Sequence, residues 1–267
     1  MQLGITTIQR DRAPWIKEWI AFHYLVGFRK FYIYLHNCKD NSYEVLTELK
    51  KRFDIKIVPI DSEMDMVQQK CYQDSCNNYL NEVDWMAFID GDEFLFPTAH
   101  TSMEDALNEF SDKKISAVAV YISCFGSSGH IAEPPGLIIE NYRYRAETGF
   151  HDNHIIKSIV RGGQQERPII VKCANFIKFL GTYDENLRPV FGGRVAYEPT
   201  YGKFRINHYV AQSRSYYLNW KRNSGNAAGE RLLIREEDWW TDADRNDVLD
   251  NSMDKFIGPL KNILNSI

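Results

Sequence analysis

The chain has 267 residues, of which 44% are hydrophobic and 25% are charged, an ordinary globular composition with room for a substantial core. The formal net charge of −4 excludes an overall basic field, so nucleic acid is not expected as a partner. The five cysteines form no CxxC pair, and the N-terminus MQLGITTIQR lacks the apolar core of a signal peptide, so we predict reduced thiols and a cytoplasmic location.

The first half of the chain alternates between strand-like and helix-like segments. Strands are predicted over 3–8, 31–36, 55–60, 85–90 and 115–122. Helices are predicted from Pro14 to Gly27, from Asn41 to about Phe53, over 64–81 and from Ser102 to Phe110. Such alternation favours a mostly parallel sheet, in which ligands bind beyond the carboxyl ends of the strands.

The pattern changes after CFGSSGH (124–130) and the turn EPPG. Shorter strands are predicted in LIIENYRYR, HIIKSIVR, RPIIVKC and KFRINHYV, followed by helices from about Ser213. Because no linker or repeat interrupts the chain, we predict one α/β domain over 1–267. Its expected fold is a Rossmann-like, mostly parallel central sheet flanked by helices, with a C-terminal helical tail.

Three carboxylates, those of Asp90, Asp92 and Glu93, lie in the segment WMAFIDGDEFLF, which is otherwise typical of a buried strand. Asp-Gly between two apolar runs is also a hairpin signal. Alternate residues at a strand end point the same way, so Asp90 and Asp92 could face one cation while Glu93 points elsewhere. The position at a carboxyl end favours a divalent cation, and Mg²⁺ or Mn²⁺ held by few protein ligands implies a phosphate-bearing substrate.

Two later segments could also bind a ligand. In INHYVAQSRSYYLNWKRNSG, His208 precedes three basic residues that could cap phosphates, namely Arg214, Lys221 and Arg222. The alternative is a half-buried histidine beside a solvated basic face. In CFGSSGH, His130 could bind a ligand hydroxyl, although a tight turn explains the glycines equally well.

Five blocks in order resemble glycosyltransferase family 92, whose members have the GT-A fold. RDRAPWIKEWIAFHYLVGFRKFYIYLHNCKDNSYEVL is similar to the family's opening, WMAFIDGDEFLFP to its central block, and FGSSGH, KSIVR and INHY to later blocks. The resemblance runs from about Gly4 to Gly225. It implies inverting transfer of a sugar, commonly galactose, from a UDP-sugar donor to a hydroxyl of a glycan acceptor, with Mn²⁺ or Mg²⁺ as cofactor.

The resemblance also implies how the chain divides and which residues bind the metal. Residues 1–122 would form the nucleotide-sugar-binding half, 123–210 the acceptor-side half and 211–267 the helical tail. The metal and the diphosphate would be held by Asp90 and Asp92, with His208 completing the metal shell.

The remaining roles that the resemblance implies concern the donor and the acceptor. Uridine and ribose would contact residues at strand ends or on the helix facing the donor, which are Thr6, Arg10, Asn37, Asp40 and Gln69. Further donor contacts would come from Asp90, Gly91, Lys157 and Lys221, and contacts to the acceptor or the sugar from Glu93 and His130. Arg12 and Gln212 depart from the family's pattern, which bears on donor and acceptor choice.

An inverting transferase also needs a base that takes the proton of the acceptor hydroxyl, usually Asp or Glu. We expect Asp184 in GTYDENLR to be this base, with Glu185 and Asp152 as rivals. A solvated loop carboxylate is the alternative for each of the three.

Two other functions stay open at this point. The same carboxylate loop could serve a nucleotidyl- or phosphotransferase, or the chain could bind nucleotide or glycan without turnover. Trp239 and Trp240 could stack on a sugar or pack in the tail. The C-terminal MDKFIGPLKNILNSI could touch a membrane peripherally or a partner, but packing on the domain is expected, and Pro259 argues against a continuous interfacial helix. The sequence leaves the oligomeric state open.

Overall fold

A computed structural model describes residues 1–163, 180–227, 229 and 232–267, and the backbone of 169–171 and 175–177. The predicted strand RPIIVKC lies partly outside the described residues, as does Cys173. The four described cysteines, Cys38, Cys71, Cys76 and Cys124, carry free thiols.

The strands and helices follow the predicted alternation closely in the first half of the chain. The strands are β1 Leu3–Gln9, β2 Lys30–His36, β3 Asp54–Ile60, β4 Trp85–Phe88, β5 Glu93–Pro97, β6 Ala117–Cys124, β7 Tyr144–Arg145, β8 Ile156–Arg161, β9 Ile169–Val171, β10 Asn175–Ile177, β11 Thr182–Asp184, β12 Pro189–Val190, β13 Phe204–His208 and β14 Val248–Leu249. The α-helices are α1 Ala13–Leu25, α2 Ser42–Leu49, α3 Val67–Tyr79, α4 Met103–Asn108, α5 Ile138–Asn141, α6 Arg214–Asn219, α7 Glu237–Ala243 and α8 Asp254–Leu264. Short 3₁₀ turns cover Leu80–Glu82, His151–His154 and Lys221–Asn223.

The central sheet has the order β12-β11-β6-β8-β4-β1-β2-β3. Its β3, β2, β1 and β4 run parallel, and β8 is inserted antiparallel between β4 and β6. Helices flank both faces, with Trp19 of α1 buried on one side and Tyr72 of α3 on the other. The predicted fold class is therefore confirmed.

A branch of the sheet brings two distant segments together. β13 pairs in parallel with β6 and antiparallel with β5, so that His208 lies opposite Glu93 and beside Cys124. The carboxyl end of β13 thus meets the segment that follows β4. This register places His208 next to the segment Asp90–Asp92, which we call the acidic turn, even though more than a hundred residues separate them in the chain.

The segment Asp90–Asp92 is a tight turn, in which the amide of Glu93 donates to the carbonyl of Asp90 at 3.2 Å. The turn does not make a hairpin, because β4 pairs with β1 and β8 whereas β5 pairs with β13. The hairpin alternative is therefore wrong. The turn instead carries the chain from the main sheet into its branch.

The predicted strand 137–145 is mostly wrong, because residues Ile138–Asn141 form the short helix α5 and only Tyr144–Arg145 are extended. Glu18 of α1 accepts hydrogen bonds from the amides of Ile138 at 2.9 Å and Ile139 at 3.2 Å. A side chain more than a hundred residues away thus satisfies the amides at the start of the helix, which no local pattern indicates.

The C-terminal helix α8 packs on the domain, as expected. Phe256 makes edge-to-face contacts with Phe22 and Phe96, and Leu260 is fully buried. The helix runs through Pro259 without ending, so the expectation of a break there is wrong. None of the helices that the structure describes is both long and apolar enough to cross a bilayer.

Candidate active site

An open pocket of about 330 Å³ lies where the acidic turn, the ends of β1 and β13, and residues 220–227 meet. Its position beyond the carboxyl ends of β1 and β4 is the one expected for a ligand of a parallel sheet. Seven of the predicted site residues line it, namely Arg10, Asp90, Gly91, Asp92, Asp152, His208 and Lys221. Trp239 also lines this pocket.

Asp90 is fixed by side chains beneath the pocket. Its Oδ1 accepts hydrogen bonds from Gln68 at 2.5 Å and from the Tyr72 hydroxyl at 3.3 Å, and its Oδ2 pairs with the Lys157 ammonium at 2.6 Å. Both carboxylate oxygens are therefore engaged by groups of the protein. Two side chains of α3 and one of β8 therefore fix the orientation of the Asp90 carboxylate.

Glu93 lies under the turn and has no exposed surface. Its carboxylate accepts a hydrogen bond from the Asp90 amide at 2.8 Å and pairs with Lys157 at 3.1 Å. Burial raises the pKa of Glu93 in spite of the neighbouring ammonium. Burial would lower the pKa of Lys157, but the charges of Asp90 and Glu93 raise it. This geometry braces the turn, and it does not bring Glu93 to the pocket surface.

Asp92 is the most strongly paired carboxylate of the pocket. Its Oδ2 lies 2.6 Å from the Lys221 ammonium, and its Oδ1 lies 3.6 Å from Nε2 of His208. Burial would raise the pKa of Asp92, but the two cations hold it well below its ordinary value. Burial would lower the pKa of His208, but the charge of Asp92 raises it to about 10.

Asp92 and the neutral form of His208 would make a pair that fits a divalent cation, which must displace one proton of the ring. Ligands at about 2.0–2.2 Å from one ion lie about 3–3.6 Å apart, and Asp92 Oδ1 and His208 Nε2 are 3.6 Å apart. The other ring nitrogen of His208 is buried, has no hydrogen-bond partner among the described residues and lies 4.0 Å from Glu93. At this distance Glu93 does not accept a hydrogen bond from the ring, unlike the carboxylates that usually orient a metal-binding histidine. The carboxylate oxygens of Asp90 are bound to Gln68 and Lys157 in this structure.

The rim of the pocket contains an arginine among aromatic rings. The Arg12 guanidinium lies 4.4 Å from the ring centroid of Trp15 and 5.5 Å from that of Trp220, and it donates to the Tyr216 hydroxyl at 2.9 Å. It also donates to the carbonyl of Gly91 at 3.1 Å. Arg12 thus ties the acidic turn to helix α6 and the segment that follows it.

Residues 220–227, which we call the cap segment, are held over the pocket by two further arginines. Arg10 donates to the carbonyl of Ser224 at 2.6 Å, and Arg235 donates to the carbonyls of Lys221 at 3.0 Å and Gly225 at 2.8 Å. Arg10, Lys221 and Arg235 all line the pocket. The cap segment and the two arginines that hold it therefore add three cationic side chains to the pocket that contains Asp92.

Four residues predicted to contact uridine and ribose do not line the pocket, namely Thr6, Asn37, Asp40 and Gln69. The Thr6 hydroxyl lies 2.7 Å from that of Ser75 between β1 and α3. Asn37 bonds the backbone of Ser62, and Asp40 accepts from the amides that start α1 and α2. In this structure Thr6 links the interiors of β1 and α3, whereas Asn37 and Asp40 stabilise a loop and two helix starts.

The structure also places Asp184, Glu185 and His130 away from the pocket. The carboxylate of Asp184 has no exposed surface, pairs with Arg188 at 2.6 Å and accepts two backbone amides. Glu185 accepts the amides of Gly202 and Lys203. His130 bonds the carbonyl of Asn141 at 3.2 Å. The described contacts of Asp184 and Glu185 therefore stabilise loops.

Asp152 is the rival base that does line the pocket. It belongs to the 3₁₀ turn His151–His154 that precedes β8, and its side chain is 37% exposed. Arg194 pairs with its carboxylate at 2.6 Å, and His151 lies 3.1 Å from it. Asp152 is thus oriented at the mouth of the pocket while it remains accessible to a ligand.

Sequence reasoning missed Gln68 and Arg235, and it singled out Arg12 only as a departure from the family's pattern. Gln68, and not its neighbour Gln69, reaches Asp90, because only one of two adjacent helix positions faces the sheet. The helical phase could have identified Gln68, since it shares a face with Tyr72. No local signal marks Arg235, which lies in an irregular segment and reaches the pocket only through the fold.

Comparisons with known proteins agree with the sequence blocks. The model of the family described as Glycosyltransferase family 92 matches residues 4–241. A glycosyltransferase family 92 protein of Oryza sativa subsp. japonica is 28% identical over 164 residues, which are 59% of this chain and 26% of that protein. One from Ricinus communis is 25% identical over 169 residues, 60% of this chain and 28% of that protein. The chain spans about a quarter of the length of these curated relatives.

Solved structures resemble the chain at lower identity. S. aureus TarS 1–349 in complex with UDP-GlcNAc is 12% identical, with a TM-score of 0.41 over 60% of this chain and 45% of that chain. Glucosyl-3-phosphoglycerate synthase from Mycobacterium tuberculosis, in complex with Mn²⁺, UDP and phosphoglyceric acid, is 11% identical, with a TM-score of 0.34 over 45% of this chain and 43% of that chain.

The family match extends from the first residues of β1 to helix α7 and contains every strand of the central sheet. It includes the acidic turn, His208 and the cap segment, which together form most of the pocket. The mostly parallel sheet flanked by helices is the GT-A type fold that the resemblance implied. The chain belongs to glycosyltransferase family 92.

Proposed function

We propose that the chain transfers a sugar from a UDP-sugar to a hydroxyl of a glycan, with inversion and with Mn²⁺ or Mg²⁺, and that galactose is the sugar. One observation carries the proposal. Asp92 lies more than a hundred positions from His208 and Lys221 in the chain, yet the three side chains converge in one pocket at the carboxyl edge of the sheet. A carboxylate–histidine pair beside cationic side chains suits a nucleoside diphosphate and a divalent cation.

In this proposal Asp92 and His208 hold the metal ion, with Glu93 behind the histidine ring. The bound ion would offset the negative charge that develops on the leaving diphosphate. Asp90, fixed by Gln68 and Lys157, shapes the turn and faces the donor next to Gly91.

Lys221 of the cap segment and the two arginines that hold this segment would bind the diphosphate. Arg10, Lys221 and Arg235 line the pocket near Asp92 and can donate charge-assisted hydrogen bonds to phosphate oxygens. Trp220 and Trp239 line the same pocket and offer flat apolar faces to a sugar ring.

We propose Asp152 as the base, in preference to Asp184 and Glu185. The acceptor oxygen bonds to the anomeric carbon, the bond from that carbon to the phosphate oxygen breaks with its electron pair leaving on UDP, and Asp152 takes the hydroxyl proton. Asp152 lines the pocket and is partly exposed, whereas Asp184 is fully buried in contacts of its own loop.

Release of UDP from a panel of UDP-sugars, measured with and without Mn²⁺ and with glycan acceptors, tests this function. We expect metal-dependent UDP release with UDP-galactose and a new glycan product. Release of diphosphate or formation of a phosphorylated product would favour a nucleotidyl- or phosphotransferase instead. Binding of UDP without turnover of any donor would favour a catalytically silent binding protein.

A further inference from the structure

We propose that Lys221 is an internal counter-cation of Asp92 that must leave this carboxylate before a divalent cation binds, so that metal binding depends on the nucleotide diphosphate. The inference rests on the proposed function, because it concerns the metal and the donor of the same pocket. It assigns to Lys221 a role in the order of binding and not only a contact with the donor.

The first observation is that Asp92 is already neutralised by groups of the protein. Lys221 lies 2.6 Å from one of its carboxylate oxygens, and His208 lies 3.6 Å from the other. The side chains of Asp92 and Lys221 are only 11% and 14% exposed, so water screens their attraction weakly. A divalent cation that approaches Asp92 and His208 must therefore compete with a close, partly desolvated ammonium.

The second observation is that the two lysines of the acidic turn are held very differently. Lys157 extends from strand β8 in the sheet, is 7% exposed and pairs with both Asp90 at 2.6 Å and Glu93 at 3.1 Å. Its removal would leave two carboxylates unpaired, one of them fully buried. Lys221 extends from a 3₁₀ turn outside the sheet and pairs with Asp92, so its departure would leave one carboxylate without an ammonium, and His208 also faces that carboxylate. Lys221 is therefore the lysine that can move.

The third observation is the location of Lys221 among groups suited to phosphate. Arg10 and Arg235 hold the cap segment through the carbonyls of Ser224, Lys221 and Gly225, and both arginines line the pocket with Lys221. A diphosphate that enters this cationic surface offers Lys221 a new anionic partner. Lys221 would exchange Asp92 for a phosphate oxygen, and Asp92 would then be free to bind a divalent cation.

This exchange makes the two ligands thermodynamically coupled. The factor by which UDP tightens Mn²⁺ binding must equal the factor by which Mn²⁺ tightens UDP binding. Part of the coupling would come from direct contact between the ion and the phosphates, and part from release of Asp92 by Lys221. Removing the Lys221 ammonium should abolish the second part and leave the first.

Titration of the full chain with MnCl₂, followed by electron paramagnetic resonance of free Mn²⁺, tests the inference. The proteins are the wild type, Lys221→Met, Arg222→Met and Asp92→Asn, each without and with saturating UDP. Arg222→Met is the matched control, because it removes one positive charge from the same turn, and Arg222 pairs with the exposed Glu236. Lys221→Gln replaces Lys221→Met if the latter does not fold.

We expect Lys221→Met to bind Mn²⁺ without UDP about tenfold or more tightly than the wild type, the factor expected for release of a close ion pair. The coupling factor between UDP and Mn²⁺ should be about tenfold smaller in this variant but remain above one. Arg222→Met should match the wild type, and Asp92→Asn should not bind the ion under either condition.

Two outcomes would overturn the inference, and they are distinguishable. Equal Mn²⁺ affinity of Lys221→Met and the wild type without UDP, with normal binding in its presence, would refute the role of Lys221 and leave the proposed function intact. Absence of Mn²⁺ binding in all the proteins, even with UDP, would refute metal dependence itself and the inference with it.

Discussion

Asp92 is the residue on which the proposed chemistry depends most, because it meets both His208 and Lys221. We expect Asp92→Asn to lower UDP release about 100-fold or more, since an amide is a poor ligand and a poor counter-charge. Circular dichroism should show an intact fold. Asp112→Asn, at an exposed surface carboxylate, is the control and should retain full activity. Full activity of Asp92→Asn would exclude the proposed role.

The choice of base is a second prediction at the scale of single residues. Asp152→Asn should lower kcat about 100-fold or more while KM for the donor changes little, because the base acts on the acceptor hydroxyl. Steady-state kinetics with a saturating acceptor would measure this split.

Asp184→Asn provides the comparison for the same prediction. It should retain kcat and lower the free energy of unfolding by about 1–3 kcal/mol, because a buried carboxylate paired with a partly exposed arginine is lost. The opposite pattern, with kcat lost in Asp184→Asn and retained in Asp152→Asn, would return the role of base to Asp184.

At the scale of secondary-structure elements, the acidic turn shows what a local pattern leaves open. The sequence Asp-Gly between apolar runs correctly predicts a tight turn after β4. It does not predict strand pairing, because β5 finds its partner in β13 and not in β4. Pairing depends on the other strands that compete for each edge, and those come from distant parts of the chain.

Helix α8 is a second case at this scale, and its docking is testable. Leu260 is fully buried in the core formed with α1 and β5. We expect Leu260→Ala to lower the free energy of unfolding by about 2–4 kcal/mol, measured by urea denaturation. Asn262→Ala on the exposed side of the same helix should change it by less than about 0.5 kcal/mol. Equal effects of the two variants would contradict the docking.

At the scale of the whole molecule, two buried groups of α1 give the folding stability a defined dependence on pH. Burial raises the pKa of Glu18 from its ordinary 4.5 to about 7, so its contribution is present below pH 4.5 and is lost as pH rises to 7. Burial lowers the pKa of His23 from 6.5 to about 3, so its contribution is present above pH 6.5 and is lost as pH falls. His23 stays neutral because its Nε2 accepts from the Leu95 amide while Nδ1 donates to the Trp19 carbonyl.

These two contributions oppose each other between about pH 4.5 and 6.5. Glu18→Gln removes the contribution of Glu18 and leaves that of His23. The difference in free energy of unfolding between this variant and the wild type should therefore rise by about 1.4 kcal/mol per pH unit in this window. His23→Leu should give a relative slope of the opposite sign. Urea denaturation at several pH values measures both slopes, and parallel profiles of all three proteins would contradict the assignment.

Much of the fold could be predicted from the sequence, because the periodicity of apolar residues and the residues that cap helices act locally. The strands of the first half and the Ser102 cap of α4 are of this kind, and the Ser102 hydroxyl does accept from the Asp105 amide. The error over 137–145 has a non-local cause, since Glu18 supplies the partners for the start of α5.

The sequence by itself determined that an acidic turn follows a buried parallel strand, and it thereby indicated the edge of the sheet at which the pocket lies. Only the tertiary structure decided which group neutralises each acid, with Lys157 paired to Asp90 and Lys221 paired to Asp92. It also placed Asp152 at the pocket and buried Asp184 elsewhere. The physical reason is that secondary structure follows from neighbouring residues, whereas these pairs join residues 67 and 129 positions apart and depend on strand order and on the packing of the cap segment.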